Sequence, residues 1–348
     1  MSRPAPIQPP PTPPIRPGRD GDADGFIALI ARCWADYPGC VMDVDGEMPE
    51  VRALATYYAG RGGALWAAER DGVIAGMVAV RPGADADAAE TWEVCRLYAH
   101  PAHHGTGLGH RLLDAAEAHA RAHGARRMVL WSDTRFDRAH RFYEKCSYVR
   151  AGGIRALDDL SNSLEYGYAK PLGGCAVERL DAAAAESAER RLAEVLVACV
   201  DAGAVPGFWP PLGPDAARAV WRRVGRAVAR GESVLLAAWT DGVLAGTAVL
   251  DLATPRDQRH RAEVARLLVH PEHRRRGLAR ALMRRIEGEA AAEGRVLLTL
   301  GVRAGDAAEA LCRHSGWQEG GRIPGYTLDA DGTAHDGLVV WKRVRPAP

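Results

Sequence analysis

Two spacings of apolar residues alternate along this chain. Phe26, Leu29, Ile30, Cys33 and Trp34 recur at helical spacing and predict a helix over 20–35, and a second helix is expected over 48–58. Segments 64–69 and 73–80 then read as two strands joined across Asp71-Gly72, a dipeptide suited to a two-residue hairpin turn. Segment 92–99 is the next strand, with a mostly apolar end that suggests a central place in a sheet. Leu112, Leu113, Ala116 and Ala120 restore the helical period over 110–123, and Gly124 is placed to end that helix. A strand at 128–131, a helix at 137–145 and a hairpin of 149–155 with 164–169 complete the series, after a short opening strand at 15–17. Mixed strands and helices in this order predict an α/β (α+β) fold, a largely antiparallel sheet with helices on its faces.

The series then starts again. Glu93-Val94-Cys95-Arg96-Leu97-Tyr98-Ala99-His100-Pro101 returns as Glu263-Val264-Ala265-Arg266-Leu267-Leu268-Val269-His270-Pro271, at an offset of 170 (263 − 93). Residues 67–76 match 237–246 at the same offset (237 − 67). A repeat this long is a domain and not a solenoid unit. The expected organisation is a proline-rich disordered tail over 1–14, one domain over 15–172 and a second over 173–348, with Pro171-Leu172-Gly173-Gly174 as linker.

Composition narrows the class by exclusion. A net charge of +1 gives no bulk attraction for nucleic acid. The seven cysteines are scattered with no CxxC pair, which argues for reduced thiols in a cytoplasmic protein and against a zinc site. No apolar run approaches the roughly 20 residues of a membrane span. Expected partners are therefore a small molecule and at most a second copy of the chain, as monomer or homodimer, with neither nucleic acid nor membrane.

In each copy the central strand runs into a glycine turn that opens a helix: His104-Gly105-Thr106-Gly107-Leu108-Gly109-His110 in the first, Arg274-Arg275-Arg276-Gly277-Leu278-Ala279-Arg280 in the second. The first amides of a helix lack intrahelical partners, and the helix dipole adds about half a positive charge there, so such a turn suits a phosphate. A dinucleotide-binding GxGxxG would need glycine where His110 stands. An unliganded loop does not explain why both copies keep the turn. His119 and His123 sit four apart without the glutamate of an HExxH motif, so they read as solvated helix residues and no metal is expected.

Strand, [RQ]xxGx[GA] turn and helix resemble motif A of the GNAT acetyltransferases. The second copy fits at every position, and the first departs only at His104. The resemblance spans nearly all of both domains. It implies acetyl-CoA as cofactor, with its pyrophosphate on the two turns. Its pantetheine arm would lie along the backbone of Leu97, Tyr98 and Ala99 in one copy and of Leu267, Leu268 and Val269 in the other. It also implies direct transfer to an amine, helped by a base for the ammonium and an acid for the departing thiolate.

The segment from Arg141 to Tyr148 resembles the family's FYxxxGF stretch, with Ser147 in place of glycine, and assigns the acid to Tyr143. Glu93 stands where relatives carry the base, with Asp133 as the other candidate; a packing or salt-bridge role for Glu93 stays open. The loop acids Asp43, Asp45 and Glu47 lie where relatives bind the acceptor and would suit a cationic amine, unless they are an ordinary solvated loop. The second domain resembles the tabtoxin-resistance acetyltransferases through 261–267, its arginine-rich turn and 322–332. It carries Cys312 at the acid's position and Gly301 where those relatives have aspartate.

The expected protein is thus a tandem N-acetyltransferase of a small amine, a metabolite, antibiotic or toxin, with a working first domain and a degenerate second one. The alternatives are an acyl-CoA-binding sensor or scaffold, and a mycothiol-synthase-like enzyme that works through its second domain.

Overall fold

The computed structural model describes residues 12–83, 90–204 and 207–345. The chain divides into two compact units, Met1–Cys146 with Ala151–Leu172, and Ser147–Arg150 with Gly173–Pro348. In the N-terminal unit the elements are β1 (Ile15–Pro17), α1 (Ala23–Trp34), α2 (Leu54–Ala59), β2 (Ala64–Arg70), β3 (Val73–Pro82), β4 (Thr91–Ala99), α3 (Leu108–Ala122), β5 (Arg127–Asp133), α4 (Asp137–Lys145), β6 (Val149–Ala156) and β7 (Leu164–Pro171). The C-terminal unit has β8 (Cys175–Leu180), α5 (Ala182–Asp201), α6 (Pro214–Ala229), β9 (Ser233–Thr240), β10 (Val243–Asp251), β11 (Arg261–Val269), α7 (Leu278–Ala292), β12 (Leu297–Arg303), α8 (Ala307–His314), β13 (Gln318–Leu328) and β14 (Ala334–Arg343).

Each unit holds a seven-stranded sheet, ordered β1-β2-β3-β4-β5-β7-β6 and β13-β14-β12-β11-β10-β9-β8. Among the described residues, β1 to β5 and β8 to β12 pair antiparallel with their neighbours except β4 with β5 and β11 with β12, which are parallel. The mixed, mostly antiparallel sheet flanked by helices agrees with the reading of the sequence. The β2–β3 hairpin turns through Asp71 and Gly72, at φ 52° and 77°, as the Asp-Gly signal requires.

Some local expectations are corrected. The helix expected over 48–58 is a 3₁₀ turn, Pro49–Ala53, followed by the short α2, because Pro49 and β-branched Val51 fit a tight first turn better than an extended α-helix. Helix α3 begins two residues early, at Leu108, since Gly107 takes the N-cap position. Pro171 ends β7 and Leu172 is fully buried, with its amide on the Arg126 carbonyl, so the linker shrinks to Gly173-Gly174. The tail assignment falls mostly outside the described residues. Its end, Thr12 to Pro14, is fixed: the Thr12 hydroxyl donates to the Thr106 carbonyl and Arg111 donates to that of Pro13.

Two features recur in both units at equivalent positions. Gly76 and Gly246 lie where α3 and α7 press on the sheet; a Cβ at Gly76 would stand 2.8 Å from Leu112, and one at Gly246 3.3 Å from Leu282. A lysine of the last long strand reaches under the motif helix. Lys170 meets Glu117 at 2.5 Å and donates to the Cys146 carbonyl, and Lys342 meets Glu287 at 2.7 Å and donates to the Ser315 carbonyl. The pair ties the motif helix, the end of the following helix and the sheet together.

Lys170 and Glu117 are both nearly inaccessible; Glu117 also meets Arg121 at 3.1 Å, but that more exposed guanidinium compensates it less well when Lys170 is removed. Lys170→Met should cost about 3–5 kcal/mol in urea unfolding, and the double variant Lys170→Met/Glu117→Leu should recover most of it.

Candidate functional site

The site is built by one irregular strand in each unit. β4 pairs in parallel with β5 only from Thr91 to Val94, and β11 with β12 only from Arg261 to Glu263. Directly after, Arg96 and Arg266 take φ of 51° and 47°, and the pairing to β3 and β10 slips by one residue. This β-bulge turns the strand aside, so Leu97–Ala99 and Leu267–Val269 have no strand partner on the β5 or β12 side among the described residues. Their backbone groups line the wedge that opens there.

Each bulged strand leads to its glycine turn. Gly107 and Gly277 are the N-caps of α3 and α7, both at φ 86°, which a side chain rarely adopts. Among the described residues no side chain caps either helix, which leaves the first-turn amides without a capping acceptor. A Cβ built at Gly105, Gly107 or Gly277 would meet nothing within 4 Å, leaving an open backbone cradle. The first position of each turn is tied back to the strand end: His104 Nε2 donates to the Ala99 carbonyl at 3.1 Å and Arg274 Nε to the Val269 carbonyl at 3.3 Å. Burial lowers the His104 pKa, so this ring is neutral at pH 7, whereas the equivalent position in the other unit holds the guanidinium of Arg274.

In the N-terminal unit Tyr143 on α4 is buried, and burial pushes its hydroxyl well above the usual tyrosine value. Tyr98 and Cys95 of β4 raise it further. Glu93 is held by Arg81 across the β3–β4 ladder at 2.7 Å. Asp133 ends β5 and is gripped by Arg135 through Nε at 2.8 Å and Nη2 at 2.5 Å. Burial pushes the Asp133 carboxyl up, but the Arg135 bonds outweigh it and hold it below the usual carboxylate range.

The acidic loop differs from expectation. Asp43 accepts from the amides of Asp45 and Gly46, Asp45 pairs with Arg52 at 2.6 Å, and Glu47 accepts from the Leu160 amide at 2.6 Å. These carboxylates shape the loop or are already paired, which argues against a free cation trap. Half-buried His119 departs from the solvated reading, its ring edge-on to Trp66 and Trp92, while exposed His123, 4.1 Å from it and tilted on Trp92, keeps that reading. A His270, Glu272 and His273 cluster brings three possible ligand atoms within 4.8 Å. Yet His270 Nδ1 accepts from the Glu272 amide, as His100 Nδ1 accepts from that of Ala102, so these histidines act as caps of the short 3₁₀ turns.

The C-terminal unit keeps the scaffold and changes the side chains. Cys312 replaces Tyr143 and burial pushes its thiol up to about 11. Gly301 stands where the first unit has Trp131 and opens space, with nothing within 4 Å of a built Cβ.

Two stretches, residues 28–148 and 204–317, match the acetyltransferase (GNAT) family, more than half of the chain together. The chain belongs to the GNAT acetyltransferases.

This acetyltransferase is 31% identical over 138 residues to a mycothiol acetyltransferase of Thermobispora bispora, covering 39% of this chain and 45% of that protein. It is 32% identical over 143 residues to an uncharacterised N-acetyltransferase of Mycobacterium tuberculosis, covering 39% of this chain and 88% of the other. The chain thus matches under half the length of the first of these relatives. A putative acetyltransferase of Salmonella typhimurium, solved with its cofactor acetyl-CoA, aligns with 50% of this chain and 96% of its own at a TM-score of 0.42 and 18% identity. No helix among the described residues is long and apolar enough to cross a membrane.

Sequence reasoning placed the turns but missed the bulge and the arginines on it, although Arg96 and Arg266 stand at the repeat offset. The pairings of Glu93 with Arg81 and of Asp133 with Arg135 were equally invisible, being contacts across strands or around a turn.

The two cradles differ in charge, neutral His104 against Arg274, Arg275 and Arg276. CoA binding to the Gly107→Glu variant, which leaves the C-terminal cradle, should weaken more between roughly 0.05 and 0.5 M salt than binding to Gly277→Glu, by calorimetric titration.

Proposed function

We propose that the N-terminal unit is an acetyl-CoA-dependent N-acetyltransferase acting on the primary amine of a small molecule. The amides of Gly105–His110 and the strand end Leu97–Ala99 would hold the cofactor, whose thioester supplies the activated acetyl group. The observation that carries this reading is Tyr143: a buried phenol, kept protonated at Oη, placed against the bulged strand, with no counterpart in the other unit.

The roles follow from the charge states. Tyr143 holds a proton that it can give to a departing thiolate. Glu93, oriented by Arg81, is the base we assign to the incoming ammonium. Asp133 is a weaker base because Arg135 favours its ionised form, and we assign it to fixing the end of β5. The tie of Asp43, Asp45 and Glu47 into their loop removes the main reason for a strongly cationic acceptor.

Tyr143→Phe keeps the ring and removes the proton. It should lower kcat by roughly 10²–10⁴-fold in a thiol-release assay with the best amine found, with little change in CoA affinity. Full turnover in this variant would overturn the assignment.

A second reading is favoured by one observation. Glu263, at the position of Glu93, has no side-chain partner among the described residues, because Asp251 replaces Arg81 opposite it. A free base would suit chemistry in the C-terminal unit, in line with the similarity to a mycothiol acetyltransferase. The likeness of 322–332 to tabtoxin-resistance enzymes would then make a toxin or antibiotic the acceptor. Under this reading Glu263→Gln abolishes turnover; under the first it leaves turnover intact while Glu93→Gln lowers it.

A further inference from the structure

The two units carry an arginine at the same place on the bulged strand and treat it differently. In the N-terminal unit the Arg96 guanidinium is satisfied: Nη2 meets Glu50 at 2.6 Å and Nη1 lies 3.2 Å from the Met48 sulfur. In the C-terminal unit Arg266 forms no ion pair and no side-chain hydrogen bond among the described residues, and its Nε is buried without a partner. Leaving a guanidinium half-buried and unpaired is costly, because water is partly removed and nothing replaces it. A group that repeats this position and leaves it uncompensated is suited to a ligand.

The surroundings say what kind. Ala265 and Leu268 both pack into the core beneath α5 and α6, which requires the bulge between them, and Arg266 on that bulge lies near enough to α6 to feel the charge of Arg223. Arg223 of α6 adds a second positive charge there, and Asp251 a negative one. Exposed Asp251 and Glu263 face each other across the β10–β11 ladder; among the described residues no cation pairs with either, and Asp251 accepts from the Ala253 amide. Glu263 lies two residues before Ala265 and so shares the face. Gly301 on the neighbouring strand leaves the space that Trp131 fills in the other unit. One sheet face thus offers a guanidinium without a partner, two exposed carboxylates without a cation among the described residues, and room.

We propose that the C-terminal unit binds an amino acid, its carboxylate on Arg266 and its ammonium on the side of Asp251 and Glu263. A zwitterion meets the uncompensated guanidinium and the two exposed carboxylates at once, which neither a plain anion nor a plain amine can do. This holds whether or not the N-terminal unit is the one that turns over.

The test is calorimetric titration of the full chain, saturated with CoA, using L-glutamate, with succinate and putrescine as carboxylate-only and amine-only probes. L-glutamate should bind more tightly than either. Arg266→Met should weaken it at least tenfold, with partial rescue by Arg266→Lys. Thermal melting should show Arg266→Met no less stable than the wild type, since no internal partner is lost. The proposal is overturned if L-glutamate gives no binding, or if Arg266→Met binds it as well as the wild type. It is overturned equally if succinate or putrescine binds as tightly, if Arg266→Met instead loses CoA, or if its melting temperature falls by several degrees.

Discussion

Everything functional in this protein depends on a parallel strand pair that stops early. β4 and β5 share a ladder for four residues, and β11 and β12 for three, before an arginine at positive φ forces a bulge. An unbroken ladder would use up the backbone groups of the strand end on its neighbour. Breaking it frees those groups, aims the chain into the glycine turn and sets the helix amides beside the opening. Wedge and cradle are therefore one device, and the bulge is what couples them.

Such a device needs a rigid frame, since the strained residue survives only where its surroundings over-determine it. Close contact of the motif helix at Gly76 and Gly246 supplies one brace. The lysine–glutamate pair beneath the same helix, Lys170 with Glu117 and Lys342 with Glu287, supplies the other. Both braces occur in both units, and the wedge occurs in both.

With the frame held constant, the two units diverge in the side chains on and around the bulged strand. Tyr143 becomes Cys312, the Arg81–Glu93 pair becomes Asp251 opposite Glu263, Arg96 with Glu50 becomes Arg266 alone, and Trp131 becomes Gly301. One face has its charges internally matched and a phenol held protonated; the other has its charges unmatched and its volume emptied. The same backbone thus presents two chemically different surfaces, and substitutions at a handful of positions account for the difference.

The sequence by itself determined the repeat, the order of strands and helices, the two turns and the identity of the side chains around them. These are local properties: a period, a dipeptide turn, a glycine before a helix. Only the tertiary structure decided which charges are free. Asp43, Asp45 and Glu47 read as an acidic patch until the fold brought Arg52 and the Leu160 amide to them. Glu93 and Glu263 are the same letter in the same motif, distinguished by a residue on the adjacent strand. The ends of α2 and of the linker were likewise set by packing, where Leu172 turned inward. The physical reason is the same throughout. A side chain's charge state and availability depend on partners that are distant along the chain, and the spacing of residues in one strand carries no record of what the neighbouring strand places opposite.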